Sequence, residues 1–301
     1  MEYILRNRFF AADRINDHVI RISGMGGEKA FLIMGEERAC LFDGCSGVGS
    51  LKDFVSELCD LPVFMVMSHA HPDHCGAAFE YGECFMHPDD MALLYTEFVS
   101  GEEGRLNYDN HNPSEVERLI EAEMSDVIAA CAIRSYPCYD GDIFDLGGRN
   151  LEVIAVAGHT RGSIVLLDRA DRILYSGDAI NLNTLFGLSG STTIEEYRES
   201  VLHLKEFQDA FDWVYGGHAP FAQTAAIVDD ALLLCDKIMR GEDDQIRSVG
   251  FDGKTEVYIA LKRGSDFMPA CGSESNIVYR KDKIFGRKGK AILAGKPYID
   301  A

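Results

Sequence analysis

The chain has 301 residues, of which 47% are hydrophobic and 26% are charged, as in a globular protein with a hydrophobic core. Lys and Arg number 29 against 49 Asp and Glu, and the net charge of −20 argues against a nucleic-acid partner, because a phosphate backbone binds a basic surface. The sequence has no apolar stretch of bilayer length, no signal-peptide pattern and no C-x-x-C pair among its nine cysteines, so we expect a cytoplasmic protein with reduced thiols and no membrane partner.

The first half of the chain is predicted to combine short strands with helices. Apolar runs bounded by Gly-rich or charged turns predict strands at 18–23, 29–34, 39–42, 62–67 and 85–86. Apolar residues at helical spacing predict a helix at 50–58. Residues 88–132 are rich in Glu, Tyr and Phe, and their pattern predicts a mostly helical insertion.

The second half repeats this mixture of strands and helices. Strands are predicted at 151–155, 163–167, 173–175, 213–215, 256–262 and 276–280. Helices are predicted at 194–208 and 223–239. Because strands and helices alternate along the whole chain, we predict an α/β fold with helices on the outer faces of the sheets. It forms one domain over residues 1–301, with the insertion at about 88–132 and a C-terminal extension at about 240–301.

A cluster of histidine and aspartate follows the predicted buried strand at 62–67. His69, His71, Asp73 and His74 lie within six residues of one another. Imidazole and carboxylate groups are good ligands for Zn²⁺ and related metals, and a strand end holds such groups rigidly. A solvated polar turn is the alternative interpretation, but three histidines and an aspartate at this spacing favour a metal site.

The cluster resembles the H-x-H-x-D-H motif of the metallo-β-lactamase superfamily. Three further short motifs follow in that superfamily's chain order, and they are centred on His159 (Ala-Gly-His-Thr), Asp178 (Ser-Gly-Asp) and His218 (Gly-Gly-His). Asp43, at the end of an early strand, matches the usual upstream aspartate. Each motif is weak alone, whereas all five in the expected order are highly specific.

The resemblance implies an αββα sandwich of two mixed sheets packed face to face, with two metal ions at the sheet edge. His69, His71 and His159 would bind one ion, Asp73, His74 and His218 would bind the other, and Asp178 would bridge both together with a hydroxide. The metals are most often Zn²⁺ in such proteins, with Fe or Mn as alternatives. Asp73 would also act in catalysis by orienting the hydroxide or passing its proton to the leaving group. Asp43 would support a ligand or the motif loop, and the alternative is a turn or capping role.

The resemblance favours a metal-dependent hydrolase related to glyoxalase II and the lactonases. In that group the hydroxide attacks an ester, thioester, lactone or related bond of a small molecule. Asp178 argues against a true β-lactamase, because the zinc lactamases generally lack this bridging aspartate. A mono-iron sulfur dioxygenase keeps much the same ligands and remains an alternative. A phosphodiesterase or nuclease is a weaker alternative, because the chain is strongly acidic.

Substrate contacts are predicted in three places. Tyr95, with Phe98 and Tyr108, belongs to the helical insertion and could form an apolar lid, or could pack inward as core. Phe186 lies in the loop after Asp178 and could line the pocket. Arg161 follows the Gly-His-Thr motif and could meet an anionic group of the substrate, or could be a solvated loop residue.

Overall fold

The computed structural model describes residues 3–111, 121–219, 221–250, 253–264, 268–269 and 271–286. The strands in this part of the chain are β1 (Leu5–Arg6), β2 (Ala11–Asn16), β3 (Val19–Ser23), β4 (Lys29–Met34), β5 (Ala39–Phe42), β6 (Val63–Val66), β7 (Glu83–Met86), β8 (Arg134–Pro137), β9 (Ile143–Asp145), β10 (Asn150–Ala155), β11 (Ile164–Asp168), β12 (Ile173–Gly177), β13 (Thr184–Leu185), β14 (Trp213–Gly216), β15 (Gln223–Thr224), β16 (Ile246–Val249), β17 (Glu256–Ile259) and β18 (Ile277–Tyr279). The α-helices are α1 (Leu51–Ser56), α2 (Pro72–Cys75), α3 (Ala78–Tyr81), α4 (Met91–Leu94), α5 (Glu97–Ser100), α6 (Glu102–His111), α7 (Ile194–Lys205) and α8 (Ile227–Arg240).

The first sheet contains β1 to β8 in sequence order. Neighbouring strands are antiparallel from β1 to β5, and β5, β6, β7 and β8 are parallel. The second sheet has the order β15-β14-β12-β11-β10-β9, in which only β12 and β14 are parallel neighbours. Both sheets are therefore mixed, as the family resemblance implies.

The two mixed sheets pack face to face with helices on both outer sides. Phe31 and Phe42 of the first sheet meet Tyr175 of the second in a buried layer, and the Phe31 and Tyr175 ring centroids are 5.2 Å apart. On the outer face of the first sheet, α1 buries Phe54, and on the outer face of the second, α7 buries Tyr197. This arrangement confirms the predicted αββα sandwich.

The two long helices have clear sequence signals. Thr193 caps α7 and forms a capping box with Glu196, in which each side chain accepts a hydrogen bond from the other's backbone N–H. In α8 the buried residues recur at helical spacing, and the helix ends at Gly241 in a left-handed conformation (φ 69°). With 14 residues, α8 is the longest described helix, and none of them is long and apolar enough to cross a membrane.

The insertion is helical only in its first part. Helices α4, α5 and α6 lie between residues 91 and 111, whereas residues 121–132 contain only a 3₁₀ turn at Met124–Asp126. The prediction of helix is therefore wrong for that later stretch, where the Asp126 side chain accepts from the Glu123 backbone N–H and closes a turn. Residues 112–120 lie outside the described part of the chain.

The C-terminal extension contributes a third, small sheet with the order β13-β18-β17-β16. In it β13, which belongs to the loop after Asp178, pairs in parallel with β18. The predicted strands at 256–262 and 276–280 correspond to β17 and β18. The extension therefore supports the loop after Asp178 through β18, and its buried Ile277 and Tyr279 belong to the same hydrophobic cluster as residues of α7 and α8.

Candidate metal centre

The ends of five strands bring the candidate ligands to one edge of the sandwich. Asp43 follows β5 directly, and the motif at 69–74 begins three residues after β6. His159 follows β10, Asp178 follows β12, and His218 lies two residues after β14. The structure brings all seven predicted ligands into one cluster. Three overlapping sets of three side chains in it could hold a metal ion, and two of these sets share no residue.

The first group consists of His69, His71 and His159. Nδ1 of His71 lies 3.1 Å from Nε2 of His69 and 2.8 Å from Nε2 of His159. Three nitrogens bound to one tetrahedral Zn²⁺ at about 2.0–2.1 Å would lie about 3.3–3.4 Å apart. The three imidazoles therefore converge on a point of the size that a divalent ion fills.

The second group consists of Asp73, His74 and His218. Nε2 of His218 lies 3.2 Å from Oδ2 of Asp73 and 3.3 Å from Nε2 of His74. Helix α2 carries both Asp73 and His74, and Pro72 at its first position favours the tight turn after His71. The His218 side chain is 35% exposed, so this group faces the solvent-accessible side of the cluster.

Asp178 lies between the two groups. Its Oδ2 atom is 3.6 Å from Nε2 of His159 in the first group. The same atom is 3.8 Å from Nε2 of His74 and 3.4 Å from Nε2 of His218 in the second. A single carboxylate oxygen at this position can offset the repulsion between two neighbouring cations, which is the chemistry expected of a bridging ligand.

Hydrogen bonds from the other ring nitrogens fix how three of the histidines face the cluster. Nδ1 of His159 donates to the Leu185 carbonyl at 2.9 Å, and Nε2 of His71 donates to the Ser189 carbonyl at 3.0 Å. Nδ1 of His74 contacts the Asp43 carboxylate at 2.9 Å. With that nitrogen protonated, the opposite one keeps its lone pair for a metal, which is the usual arrangement around metal-binding histidines.

Asp43 connects the two groups. Its carboxylate accepts from the Ser68 backbone N–H at 2.7 Å and from the Ser68 hydroxyl at 2.9 Å, in addition to His74. Because the Ser68 hydroxyl donates to Asp43, its oxygen accepts from Nδ1 of His69 at 2.8 Å. Asp43 is fully buried with a φ of 66°, so it supports one ligand of each group from a strained backbone position.

Gly177 allows the two sheets to meet at this point. Its φ is 47°, and a Cβ atom there would lie 2.3 Å from Oγ of Ser68. Any larger residue would push β12, and the Asp178 that follows it, away from the Asp43 and Ser68 hydrogen bonds. The glycine of the Ser-Gly-Asp motif is therefore required by close approach as well as by backbone conformation.

The electrostatic environment differs between the two groups. Burial lowers the pKa of His159 to about 4 and also lowers the pKa values of His69 and His71. Burial alone would also lower the pKa of His74, but the charges of Asp73, Asp43 and Asp178 outweigh it and raise the pKa to about 9. The histidines of the first group are therefore neutral and can bind a cation directly. In the second group His74 carries a proton, which a metal ion has to displace.

The structure also identifies a supporting residue that the motifs do not reveal. Asp90 is buried, and its carboxylate accepts from the Ala70 backbone N–H (2.9 Å), the Thr160 hydroxyl (2.7 Å) and the Gly162 backbone N–H (2.8 Å). It thereby ties the loop at 69–74 to the loop of His159. The residue follows a His-Pro turn, and no local sequence signal indicates this long-range role.

The predicted substrate contacts lie in different places. Phe186 is 2% exposed and packs on Tyr197 in the core, with ring centroids 4.8 Å apart. Arg161 is exposed and forms an ion pair with Glu196 at 3.5 Å. Tyr95 is 53% exposed, and its hydroxyl donates to the Ile133 carbonyl at 3.3 Å. Nothing is described for the Phe98 side chain, whereas the Tyr108 ring packs beside Gly26, and burial together with the charges of Asp73 and Glu28 raises its pKa.

Comparison with protein families gives one match. The family model described as "Metallo-beta-lactamase superfamily" matches residues 62–218, which is more than half of the chain. The matched region contains the motif at 69–74 and extends to His218.

Among curated proteins, the chain is similar to acyl-coenzyme A thioesterase MBLAC2 of Gallus gallus, with 27% identity over 198 residues (60% of this chain and 67% of that protein). The Homo sapiens protein of the same name is 25% identical over 199 residues, with the same shares. The chain is also similar to the probable metallo-hydrolase YqgX of Bacillus subtilis (strain 168), with 23% identity over 202 residues (64% of this chain and 85% of that protein).

Among solved structures, the fold is similar to that of the DIM-1 metallo-beta-lactamase. The TM-score is 0.56 at 11% identity, and the match covers 76% of this chain and 98% of that one. A metallo-beta-lactamase from Pontibacter korlensis gives a TM-score of 0.52 at 16% identity, and the match covers 74% of this chain and 97% of that one. At these identities the likeness supports the fold alone.

Proposed function

The chain belongs to the metallo-β-lactamase superfamily, and on that premise we propose that this metal-dependent hydrolase uses two divalent metal ions to cleave the thioester bond of an acyl-coenzyme A. One observation supports the proposal that two metal ions are bound. The Asp178 carboxylate oxygen lies 3.4–3.8 Å from nitrogens of both ligand groups, where one side chain can serve two ions. Zn²⁺ is the metal that suits a site of histidine and aspartate best.

The residues around the cluster support hydrolysis. Bound divalent ions would lower the pKa of a coordinated water and polarise the attacked carbonyl group. Asp73 lies beside His218, and although burial would raise its pKa, His74 and His218 hold that pKa well below the ordinary value. It is therefore an ionised carboxylate that can bind a cation and orient the attacking water. The partly exposed His218 marks the side from which a substrate enters.

The thioester assignment follows the relatives' names and the charges beside the site. The Gallus gallus and Homo sapiens proteins are named acyl-coenzyme A thioesterases, and each is similar to 60% of this chain. Coenzyme A carries several phosphates, which a chain with a net charge of −20 must meet with locally placed cations. Arg263 donates to Asn183 at 2.6 Å and Lys283 donates to the Ser191 carbonyl at 2.8 Å, so both cations lie against the loop after Asp178.

A substrate panel tests this proposal. Zinc-loaded protein is assayed on acyl-coenzyme A thioesters of increasing chain length, a lactone and a phosphodiester, with Asp178→Ala as the control. We expect thioester hydrolysis to exceed the other two activities, and Asp178→Ala to lose it together with bound metal. Hydrolysis of the phosphodiester alone, or oxygen uptake on a persulfide by an iron-loaded form, would contradict the proposal.

A further inference from the structure

Asn181 lies in the loop that follows Asp178, and its side chain contacts that aspartate directly. Its amide Nδ2 donates a hydrogen bond to Oδ1 of Asp178 at 3.1 Å, and both side chains are buried. The other carboxylate oxygen, Oδ2, is the atom that lies 3.4–3.8 Å from histidine nitrogens of both ligand groups. One oxygen of the candidate bridging ligand is therefore held by a neighbouring side chain, while the other faces the metal centre.

A second hydrogen bond determines which end of the Asn181 amide faces Asp178. The Oδ1 atom of Asn181 accepts from the Asn183 backbone N–H at 2.7 Å. Since a backbone N–H can only donate, the carbonyl oxygen of the amide has to face Asn183, and the NH₂ group has to face Asp178. The two hydrogen bonds together therefore identify Asn181 as the donor and the Asp178 carboxylate as the acceptor.

The backbone around Asn181 is anchored to the fold on both sides. The Asn181 backbone N–H donates to the Thr184 hydroxyl at 3.2 Å, and the Thr184 backbone N–H donates to the Asn276 carbonyl of the C-terminal extension at 2.9 Å. On the other side, the Ser176 hydroxyl of β12 donates to the Ile180 carbonyl at 2.7 Å. These contacts fix the position of the amide relative to Asp178.

Gly216 leaves the space in which Asn181 packs. A Cβ atom on this glycine would lie 3.1 Å from Cβ of Asn181, which is closer than ordinary packing allows. Gly216 is the last residue of β14, the strand that leads to His218. The strand end of one ligand therefore packs against the residue that holds Asp178.

A turn-forming role alone does not account for the Asn181 amide. The hydrogen bond between its oxygen and the Asn183 N–H closes a turn, and a serine hydroxyl can make a similar contact. That turn makes no use of the NH₂ group, which donates instead to a buried carboxylate. Because hydrogen bonds to an ionised acceptor are stronger than those between neutral groups, this one restricts how the Asp178 carboxylate rotates.

We propose that Asn181 is a positioning residue of the metal centre, where its amide holds Oδ1 of Asp178 so that Oδ2 stays directed at both ions. The inference rests on the proposed two-metal function and extends it to a residue outside the motifs. Partners that orient a ligand typically change metal affinity or activity by roughly 10- to 100-fold when they are removed. Because Asp178 faces both ligand groups, loss of the amide should weaken the binding of both ions.

The test is Asn181→Ser, which keeps a side-chain acceptor for the Asn183 N–H but removes the amide that donates to Asp178. Asn183→Ala is the matched control, because it removes an asparagine side chain from the same loop, one that accepts from Arg263 at 2.6 Å, and keeps the backbone N–H. Chelator-stripped proteins are titrated with zinc against a competing chromophoric chelator, which resolves two binding steps. We expect Asn181→Ser to weaken both steps by about tenfold, and Asn183→Ala to match the unmodified protein.

A second variant, Thr184→Val, separates positioning from a loosened loop. It removes the hydroxyl that accepts from the Asn181 backbone N–H and keeps the Asn181 amide. It should therefore lower the Tm of metal-free protein but leave both zinc-binding steps close to those of the unmodified protein. Cobalt-loaded proteins add a spectroscopic readout, because the visible absorption of Co²⁺ reports its ligand geometry. That spectrum should change in Asn181→Ser and stay unchanged in Thr184→Val.

Unchanged zinc binding in Asn181→Ser, weakening of only one step, or an equal loss in Thr184→Val would overturn the proposal. Binding of a single zinc by the unmodified protein would instead refute the proposed two-metal function, and the remaining step would still have to weaken in Asn181→Ser. The zinc titration needs no substrate, so failure of acyl-coenzyme A hydrolysis would refute the proposed function while this result stood by itself. Where hydrolysis is observed, Asn181→Ser should lower kcat with little change in KM.

Discussion

Replacement of Asp43 by asparagine should weaken the second metal site selectively. Oδ1 of Asp43 accepts from the Ser68 backbone N–H, and Oδ2 faces both the Ser68 hydroxyl and Nδ1 of His74. An asparagine that keeps its oxygen towards the backbone N–H must present its amide NH₂ group to His74. His74 then has to accept at Nδ1, and its proton moves to Nε2, the nitrogen that faces the ligand cluster.

The expected magnitude follows from the loss of one buried hydrogen bond to a charged group. Such bonds contribute about 1.5–3 kcal/mol. Because each 1.4 kcal/mol corresponds to about a tenfold change in affinity, the second zinc should bind roughly 10- to 100-fold more weakly. His69 keeps its hydrogen bond to the Ser68 oxygen, so the first zinc should bind within about threefold of its original affinity.

Zinc titration of stripped Asp43→Asn against a competing chelator measures both steps. Ser68→Ala is the mirror-image control, because it removes the acceptor of His69 and should weaken the first step instead. Thermal unfolding of the metal-free proteins checks that both variants are folded. An unchanged second step in Asp43→Asn, or a loss confined to the first, would refute the role of Asp43 as the support of His74.

Three further predictions concern charge. First, burial lowers the pKa of His159 to about 4, whereas nearby carboxylates raise the pKa of His74 to about 9 and that of His218 well above its ordinary value. Zinc affinity of the second step should therefore rise with pH below pH 9, by up to about tenfold per pH unit for each proton released, while the first step stays nearly flat above about pH 6. Parallel pH profiles in calorimetry would contradict this. Second, burial raises the pKa of Glu28 above its ordinary value of 4.5, so its contribution to stability falls as pH rises above that value. Glu28→Gln should therefore raise the Tm of metal-free protein at pH 8 but not at pH 4. A lower Tm at pH 8 would contradict this prediction. Third, Arg161→Ala removes an exposed ion pair with Glu196 and should change the free energy of unfolding by less than about 1 kcal/mol. The KM should stay unchanged. A tenfold rise in KM would show instead that Arg161 binds the substrate.

The fold and the ligand cluster were predictable from the sequence because their signals are local. The motif at 69–74 places three histidines and an aspartate on one short turn, and the Gly-His and Gly-Asp pairs at 158–159 and 177–178 mark strand ends. The order of these motifs along the chain then indicates one site. Strand β2 was missed because Asp13 gives it a polar pattern, although that carboxylate is buried in an ion pair with Arg21.

The surroundings of the cluster were harder to predict because they depend on packing between distant segments. Phe186 was expected in the pocket, yet β13 pairs with β18 and directs this ring into the core against Tyr197. Tyr108 is predicted either in a lid or in the core, and the structure packs its ring beside Gly26, in the turn between β3 and β4. Glu28 gives no signal in the sequence, because its meaning comes from burial beside residues that are distant along the chain.

The most direct test of the two-metal thioesterase account is the dependence of activity on zinc stoichiometry. Chelator-stripped protein is titrated with zinc while hydrolysis of an acyl-coenzyme A is followed by release of the free thiol. The two ligand groups joined by Asp178 predict a rate that rises until two zinc ions are bound per chain and then stays constant. Full activity at one bound ion, or no thioester hydrolysis with two ions bound, would contradict the account.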